Sequence, residues 1–369
     1  MRSMRDVLVV GGGIVGTAIA ERLARDGLSV TLAERGVIGR EASWAAAGLL
    51  TPVHPWNHPE PLLRLEAESL ALWPALVERV RTAVGMDLQL RPTGLLMPIA
   101  GDTDAALAAE RVAWKHAQGA EAAVLDAAAA AEAEPVLGAR ARGALWLPGL
   151  CQVRNHRVAP GLAAAAGCAG AEILEGTAVL RLIYQGGRVA GARTTAGDVR
   201  ARHTVLAAGA WSGALLGEGA PHAAHTVPAR GQILLLRTRP GTLRHMLLDA
   251  DGAYLVPRAD GRILAGSTLE YVGFDRSVTL AGTRRIADAV VALAPGLADA
   301  EVEGSWAGLR PDTPDHLPVL GEIEPGLFAA TGHFRSGIML APVTAEIVRD
   351  LVRGEPSRDL APFDPHRRA

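Results

Sequence analysis

Three glycines and one acid near the start of the chain carry its most legible chemistry. Gly11, Gly13 and Gly16 form G-x-G-x-x-G directly after the apolar run Val7 to Val10, and Glu34 closes a second apolar run, Val30 to Ala33. Ala18 to Arg25, between the runs, has helical spacing. Strand, glycine turn, helix, strand and acid in that order make a dinucleotide-binding site. The first glycine gives a tight turn, the second lets backbone approach a pyrophosphate, and the third lets the helix pack close to the strand. The helix N-terminus offers free N–H groups and a partial positive charge to phosphate. Glu34 is placed to accept from an adenosine ribose hydroxyl, and a carboxylate there repels a 2′-phosphate, which argues against NADP. A glycine-rich turn that binds nothing is the competing interpretation; five parts in the right order argue against it.

Two further stretches suit a large flat ligand. Between Arg35 and Pro52 the chain runs small: Gly39, Ala42, Ser43, Ala45, Ala46, Ala47 and Gly48 let backbone lie directly against such a ligand. Ser43 also suits the N-cap of an alanine-rich helix. Later, His203 to Ser212 reads as an apolar strand running into Ala208-Gly209, with Trp211 just beyond, a second strand-to-turn edge against the same dinucleotide.

Positioning these residues takes more chain than one hydrophobic core supports: 369 residues imply two domains or one elaborated domain. Apolar residues at 49% and charged ones at 21% describe an ordinary soluble globular protein. A formal net charge of −2 gives no electrostatic case for nucleic acid or an anionic membrane surface. The two cysteines, Cys151 and Cys168, stand in neither a C-x-x-C nor a metal-ligand spacing, so no metal is expected and a reduced, cytoplasmic setting fits. No apolar run approaches the ~18 residues of a membrane span, and the N-terminus runs straight into the first strand without a signal segment.

Along the chain, helices are expected over Leu62 to Val84, Ala105 to Ala117, Leu125 to Glu132 (stopped by Pro135), Pro160 to Gly167, Arg284 to Leu293 and Ile338 to Val352. A strand is expected over Arg91 to Ile99. Short strands from Glu172 to Arg200, broken at Gly186-Gly187 and Gly197, suggest a small β-meander. Val227 to Thr238, Met246 to Asp249, Ala253 to Pro257 and Arg262 to Ser267 alternate as antiparallel strands, with a hairpin turn at Asp260-Gly261. Val302 to Leu309 and Leu327 to Ala330 follow as strands. Both domains are therefore discontinuous, with residues 1–84, 150–222 and 306–369 in the dinucleotide domain and residues 85–149 and 223–305 in the second.

Six motifs then recur in an order that resembles a known family. They are the glycine fingerprint with Glu34-Arg35, EASWAAAGLL at Glu41 to Leu50, LAAGAWSG at Leu206 to Gly213, YLVPR at Tyr254 to Arg258, WAGLRPDTPDHLPVLG at Trp306 to Gly321, and ATGHFRSGIMLAP at Ala330 to Pro342. Together they resemble the FAD-dependent amine and D-amino-acid oxidases, and within them the glycine oxidases of bacterial thiamine biosynthesis. The resemblance implies an α/β fold, a Rossmann-like FAD-binding domain with a discontinuous antiparallel-sheet α+β substrate domain. It implies FAD contacts from Ile14, Val15, Glu34, Arg35, Ala42, Ser43, Ala47, Gly48, Leu49 and Val179, and a wrap around the flavin ring from His333, Phe334, Arg335, Ser336, Gly337, Ile338 and Met339. It also implies a homo-oligomer, a tetramer. Trp44, Arg40 and Glu41 receive no role. No cysteine lies between Arg310 and Met339, so the flavin is expected to be non-covalent.

By the same resemblance Arg310, Arg335 and Tyr254 match the substrate site. Arg310 is the expected carboxylate clamp, because a guanidinium grips carboxylate with a fork that lysine cannot copy. Tyr254 is placed to donate to the same carboxylate. Arg335 is ambiguous between substrate and flavin. The implied reaction is hydride transfer from the Cα of a neutral amine to flavin, reoxidation by O2 to hydrogen peroxide, and hydrolysis of the imine to an oxo acid and ammonia. It needs no side-chain base, and His333 is expected not to be one. A helix beginning near Gly337 directs N–H groups toward charge that accumulates on reduction. A dehydrogenase serving a membrane carrier, an oxidase of sarcosine or other secondary amines, a non-catalytic flavin-binding partner and an NAD dehydrogenase are the alternatives. Retention of all three clamp residues speaks against a non-catalytic binder.

Overall fold

The computed structural model describes residues 4–368 apart from 53, 139–140, 217–220, 222–223 and 356. The expected domain limits at residues 1, 222–223 and 369 lie outside the described residues. The strand Arg5–Val10 is the middle of a parallel sheet with the order Leu327–Thr331, Gly197–Leu206, Arg5–Val10, Val30–Ala33, Glu172–Leu174; Val319–Glu324 adds an antiparallel edge. Alternate residues of the first strand enter different cores, as the period of two requires. Val7 and Val9 pack with the helices Ile14–Arg25, Asn155–Cys168 and Gly337–Arg353, while Leu8 and Val10 pack with Val189, Ala192 and Val199 of the expected meander.

A second sheet of eight strands runs in the order Glu301–Asp312, Val227–Arg237, Arg262–Gly266, Tyr254–Pro257, Met246–Leu248, Leu95–Ile99, Gly143–Leu147, Ala123–Asp126. It is antiparallel except where Met246–Leu248 runs parallel to Leu95–Ile99, which the sequence pattern did not indicate. The helix Leu280–Leu293 covers one face, with Ile286, Val290 and Leu293 packed on Leu234 and Leu236. The other face carries Ile233, Tyr254 and Trp306 toward Ala47 and Leu49 of the first lobe. This puts a packed sheet over the mouth of the dinucleotide fold. Arg258, at the end of Tyr254–Pro257 and only 8% exposed, ties the two together by donating to the Ala47 and Val153 carbonyls and to Asn155 Oδ1.

Several elements depart from the sequence reading for identifiable reasons. Pro160 does not open its helix: Asn155–Cys168 starts earlier and carries the proline in its interior, with Val158 and Leu162 fully buried. Burial of that apolar face outweighs the helix-breaking tendency of proline. Leu125 belongs to the strand Ala123–Asp126, and the helix begins only at Ala127, where the Asp126 side chain caps the Ala129 N–H. The strand Glu301–Asp312 spans the expected domain limit at 305/306 and is paired with Val227–Arg237 from Glu301 to Asp312.

Candidate active site

The glycine turn has the geometry its spacing demands. Gly11 has a φ of +109°, and a Cβ there would lie 2.5 Å from the Ala207 carbonyl oxygen. A Cβ at Gly16 would lie 2.0 Å from the Gly11 oxygen, so the third glycine serves helix–strand packing and does not face the cavity. Glu34 is held at the far lip: the Gly12 N–H donates to Oε2 at 2.7 Å and the Gly36 N–H to Oε1 at 2.8 Å. Each carboxylate oxygen keeps acceptor capacity for ribose hydroxyls. Ser43 does not cap its own short helix, Ala42–Ala45. Its Oγ accepts from the Ile14 N–H at 2.9 Å, bracing the first turn of the neighbouring helix.

From this turn one cavity of about 470 Å³ runs beneath the second sheet. Its lining joins Gly11, Gly13, Ile14, Val15, Glu34 and Arg35 at one end to Tyr254, Arg310 and Arg335 at the other. Between them lie Ala42, Ser43, Ala46, Ala47, Gly48, Leu49, Val179, Ala208, Gly209, Trp211, His333, Phe334, Gly337 and Ile338. Ser336 and Met339 are not on it. The Met339 carbonyl accepts from Ser69 Oγ and Trp73 Nε1, and its side chain is core; Ser336 donates its N–H to the His333 carbonyl. The helix Gly337–Arg353 begins at the cavity with no side-chain cap, and its first two residues, Gly337 and Ile338, line it.

At the roof, Arg310 donates to Ser267 Oγ at 2.6 Å and to the Thr268 carbonyl at 3.2 Å, and the Tyr254 hydroxyl lies beside it. Burial pushes the guanidinium below its ordinary pKa, Arg335 adds to that shift, and Tyr254 and Asp312 oppose it. Among the described residues no carboxylate bonds Arg310. A desolvated cation whose partners are all neutral is a site for an anion. Two glycines make room for this pair. A Cβ at Gly231 would lie 2.2 Å from Arg310 Nη1, and one at Gly266 would lie 2.7 Å from the Tyr254 hydroxyl. Asp312, next but one along the strand, is engaged by the Tyr271 hydroxyl, His316 Nδ1 and the Thr313 N–H, so it is not Arg310's counter-ion. Gly231, Gly266 and Ser267 were not singled out from sequence; the signal was there as glycines and a serine on the apolar strands Val227 to Thr238 and Arg262 to Ser267, which register alone makes meaningful.

His333 lines the cavity but is 3% exposed, and its Nε2 is engaged with Thr344 Oγ1 at 2.9 Å. Burial pushes the imidazole down to about 4, so it stays neutral and weakly basic at physiological pH.

A parallel sheet with a dinucleotide turn, a roof of antiparallel strands and a guanidinium bonded only to neutral groups at the end of one long cavity make a site fit for a dinucleotide beside a small acid. The chain belongs to the FAD dependent oxidoreductase family, whose model matches residues 6–351. It is 39% identical to a glycine oxidase of Pseudomonas aeruginosa over 366 residues, covering 97% of this chain and 98% of that one. It is 35% identical over 353 residues to the bifunctional protein ThiO/ThiG of Nostoc sp., covering 94% of this chain and 52% of that protein. The crystal structure of glycine oxidase from Geobacillus kaustophilus superposes with a TM-score of 0.93 at 36% identity, covering 100% of both chains.

The residues present fit FAD. Glu34 and the glycine turn suit the adenosine and pyrophosphate, and the cavity continues past them to Tyr254 and Arg310. Two glycines let the walls of that passage pack closely: a Cβ at Gly308 would lie 2.4 Å from the Ala45 Cβ, and one at Gly48 would lie 2.2 Å from the Val153 carbonyl.

Proposed function

We propose that this protein oxidises glycine and similarly small amines or D-amino acids with FAD, in the branch of thiamine synthesis that builds the thiazole. The observation that carries the reading is Arg310, half-buried and free of any carboxylate among the described residues, at the end of the cavity that begins at Glu34. The likeness to glycine oxidases and to a ThiO/ThiG protein supports the substrate and the pathway. FAD, when bound, supplies the acceptor for the hydride of the substrate Cα–H and delivers the electrons to O2. Glycine, O2 and water then give glyoxylate, ammonia and hydrogen peroxide.

The protein's part is to hold and orient. Arg310 grips the substrate carboxylate with two N–H groups, and the Tyr254 hydroxyl donates to the same group. Arg335, exposed at the cavity edge beside Phe334, adds positive charge where the carboxylate enters. The apolar walls at Ile233, Leu309 and Ile338 exclude water and fix the Cα. His333 holds the turn through Thr344 and moves no proton. We place the enzyme in the cytoplasm as a homo-oligomer; its free cysteines support the first point and its resemblance to the family the second.

The discriminating experiment is oxygen consumption with glycine, sarcosine and D-alanine; no uptake with any of them removes this reading. Neither cysteine lines the cavity, so acid precipitation is expected to release all the flavin colour. Colour left in the pellet disproves non-covalent binding. The rate of anaerobic flavin reduction by glycine is expected to climb with pH until the bound amine is deprotonated. With its pKa at about 4, His333 contributes no inflection above pH 6. A general base would cost roughly 10²–10⁴-fold when removed. His333→Ala should therefore keep both the profile and the plateau; abolished reduction with FAD still bound would make His333 the base.

A further inference from the structure

Outside the substrate end, one group of contacts lies unexplained over the dinucleotide half of the cavity. Arg35 follows the strand Val30–Ala33, and Trp211 follows Gly197–Leu206, so the two come from strands on either side of Arg5–Val10 and its glycine turn. Both line the cavity, and the Arg35 guanidinium lies 3.8 Å from the centroid of the Trp211 ring. They bridge the groove.

A loop of the second sheet presses on this bridge from outside. The residues between Gly266 and Leu280 are rooted by Arg230, 4% exposed, which donates to both oxygens of Glu270 and to Asp275, and by Gln232, which donates to Glu270 and Thr279. From that root the loop reaches across to the first lobe at two points. Phe274 stacks on Trp211 with centroids 5.5 Å apart, and Arg276 donates to Glu41 Oε2 at 2.8 Å. Glu41 in turn accepts from Arg35 at 3.0 Å, which closes the ring. The root centres on buried Arg230 and Gln232 and is several times bonded; the reach is exposed, with one aromatic contact and one ion pair to the first lobe beside the Tyr271 hydroxyl that donates to Asp312. Such a joint opens without unfolding either lobe, because exposed ion pairs and single stacks are individually weak.

We propose that Phe274, Arg276 and Glu41 form a strap that retains FAD, and that the cofactor is loaded and lost by opening it. Among the described residues these three make no bond to Arg310 or Tyr254, and Ser267 and Thr268, which hold Arg310, lie at the root, so opening the reach alone governs exchange of the cofactor and not its chemistry. The inference rests on FAD binding.

The test is the rate at which holoenzyme loses FAD, read as the growth of free-flavin fluorescence after large dilution into FAD-free buffer. Phe274→Ala is expected to lose FAD roughly two- to tenfold faster than wild type, and Phe274→Tyr to restore the wild-type rate. Arg276→Met should speed release up to about fivefold at low salt, with the difference vanishing at high salt, where exposed charges are screened. Leu280→Ala, at the end of the same loop and 87% exposed, should change nothing. Wild-type release rates in both Phe274→Ala and Arg276→Met overturn the strap, as does equal acceleration by Leu280→Ala. Purified wild type without FAD would instead refute the flavoprotein assignment itself.

Discussion

Arg310→Ala is expected to lower kcat/KM for glycine by roughly 30-fold or more, mostly through KM, while the flavin spectrum stays close to wild type. Removing one partner of a desolvated charge pair costs about 2–5 kcal/mol, because the other charge is left buried without a partner. Here the stranded partner is the substrate carboxylate. The groups that Arg310 leaves behind, Ser267 Oγ and the Thr268 carbonyl, are neutral and can bind water in the space vacated. Arg310→Lys should recover only part of the loss, since an ammonium supplies charge without the planar fork. Steady-state kinetics with unchanged flavin content decides it; a wild-type KM in the alanine variant takes Arg310 out of the site.

The second large effect comes from a residue with no functional group. Gly231→Ala puts a methyl 2.2 Å from Nη1 and 2.4 Å from Nη2 of Arg310. The obstructing atoms are the far end of a long side chain, so the guanidinium gives way and the backbone does not. Stability should therefore change little, while KM for glycine rises toward that of Arg310→Ala. A fall in Tm with unchanged KM would mean that the sheet had yielded instead. The comparison separates loss of the clamp from loss of its aim, because the charge is retained in Gly231→Ala.

These glycines also show where reading the chain stops. The dinucleotide half was legible because its parts are local: turn, helix and acid fall within one strand–helix–strand unit, and period and glycine spacing specify them together. The motifs around Arg310 and Tyr254 point to both residues, and the fold brings the two together on the cavity. What surrounds them was not legible, since Gly231, Gly266 and Ser267 acquire meaning only from the pairing of Gly231 with Gly308 and of Tyr254 with Gly266. Ser43 was placed in the right segment with the wrong bond, because its partner, Ile14, lies on a different element. Pro160 misled in the opposite sense: local propensity marked a helix start that tertiary burial moved upstream. Local signals identified elements; cross-strand register and long-range packing settled what each one touches.

The order of strands in the central sheet has a consequence for how the protein is made. Its strands come from Arg5–Val10, Val30–Ala33, Glu172–Leu174, Gly197–Leu206 and Leu327–Thr331, and the last of these pairs directly with Gly197–Leu206. While residues beyond Leu327 are still inside the ribosome, that edge has no neighbour and the helix Gly337–Arg353 is missing from the core. The nascent chain therefore cannot complete the flavin site until the strand Leu327–Thr331 and the helix Gly337–Arg353 have both emerged. Until then the chain carries late, non-local pairings still to form, the interval in which exposed strand edges aggregate. Flavin supply during expression should then govern soluble yield more strongly than the rate of synthesis does.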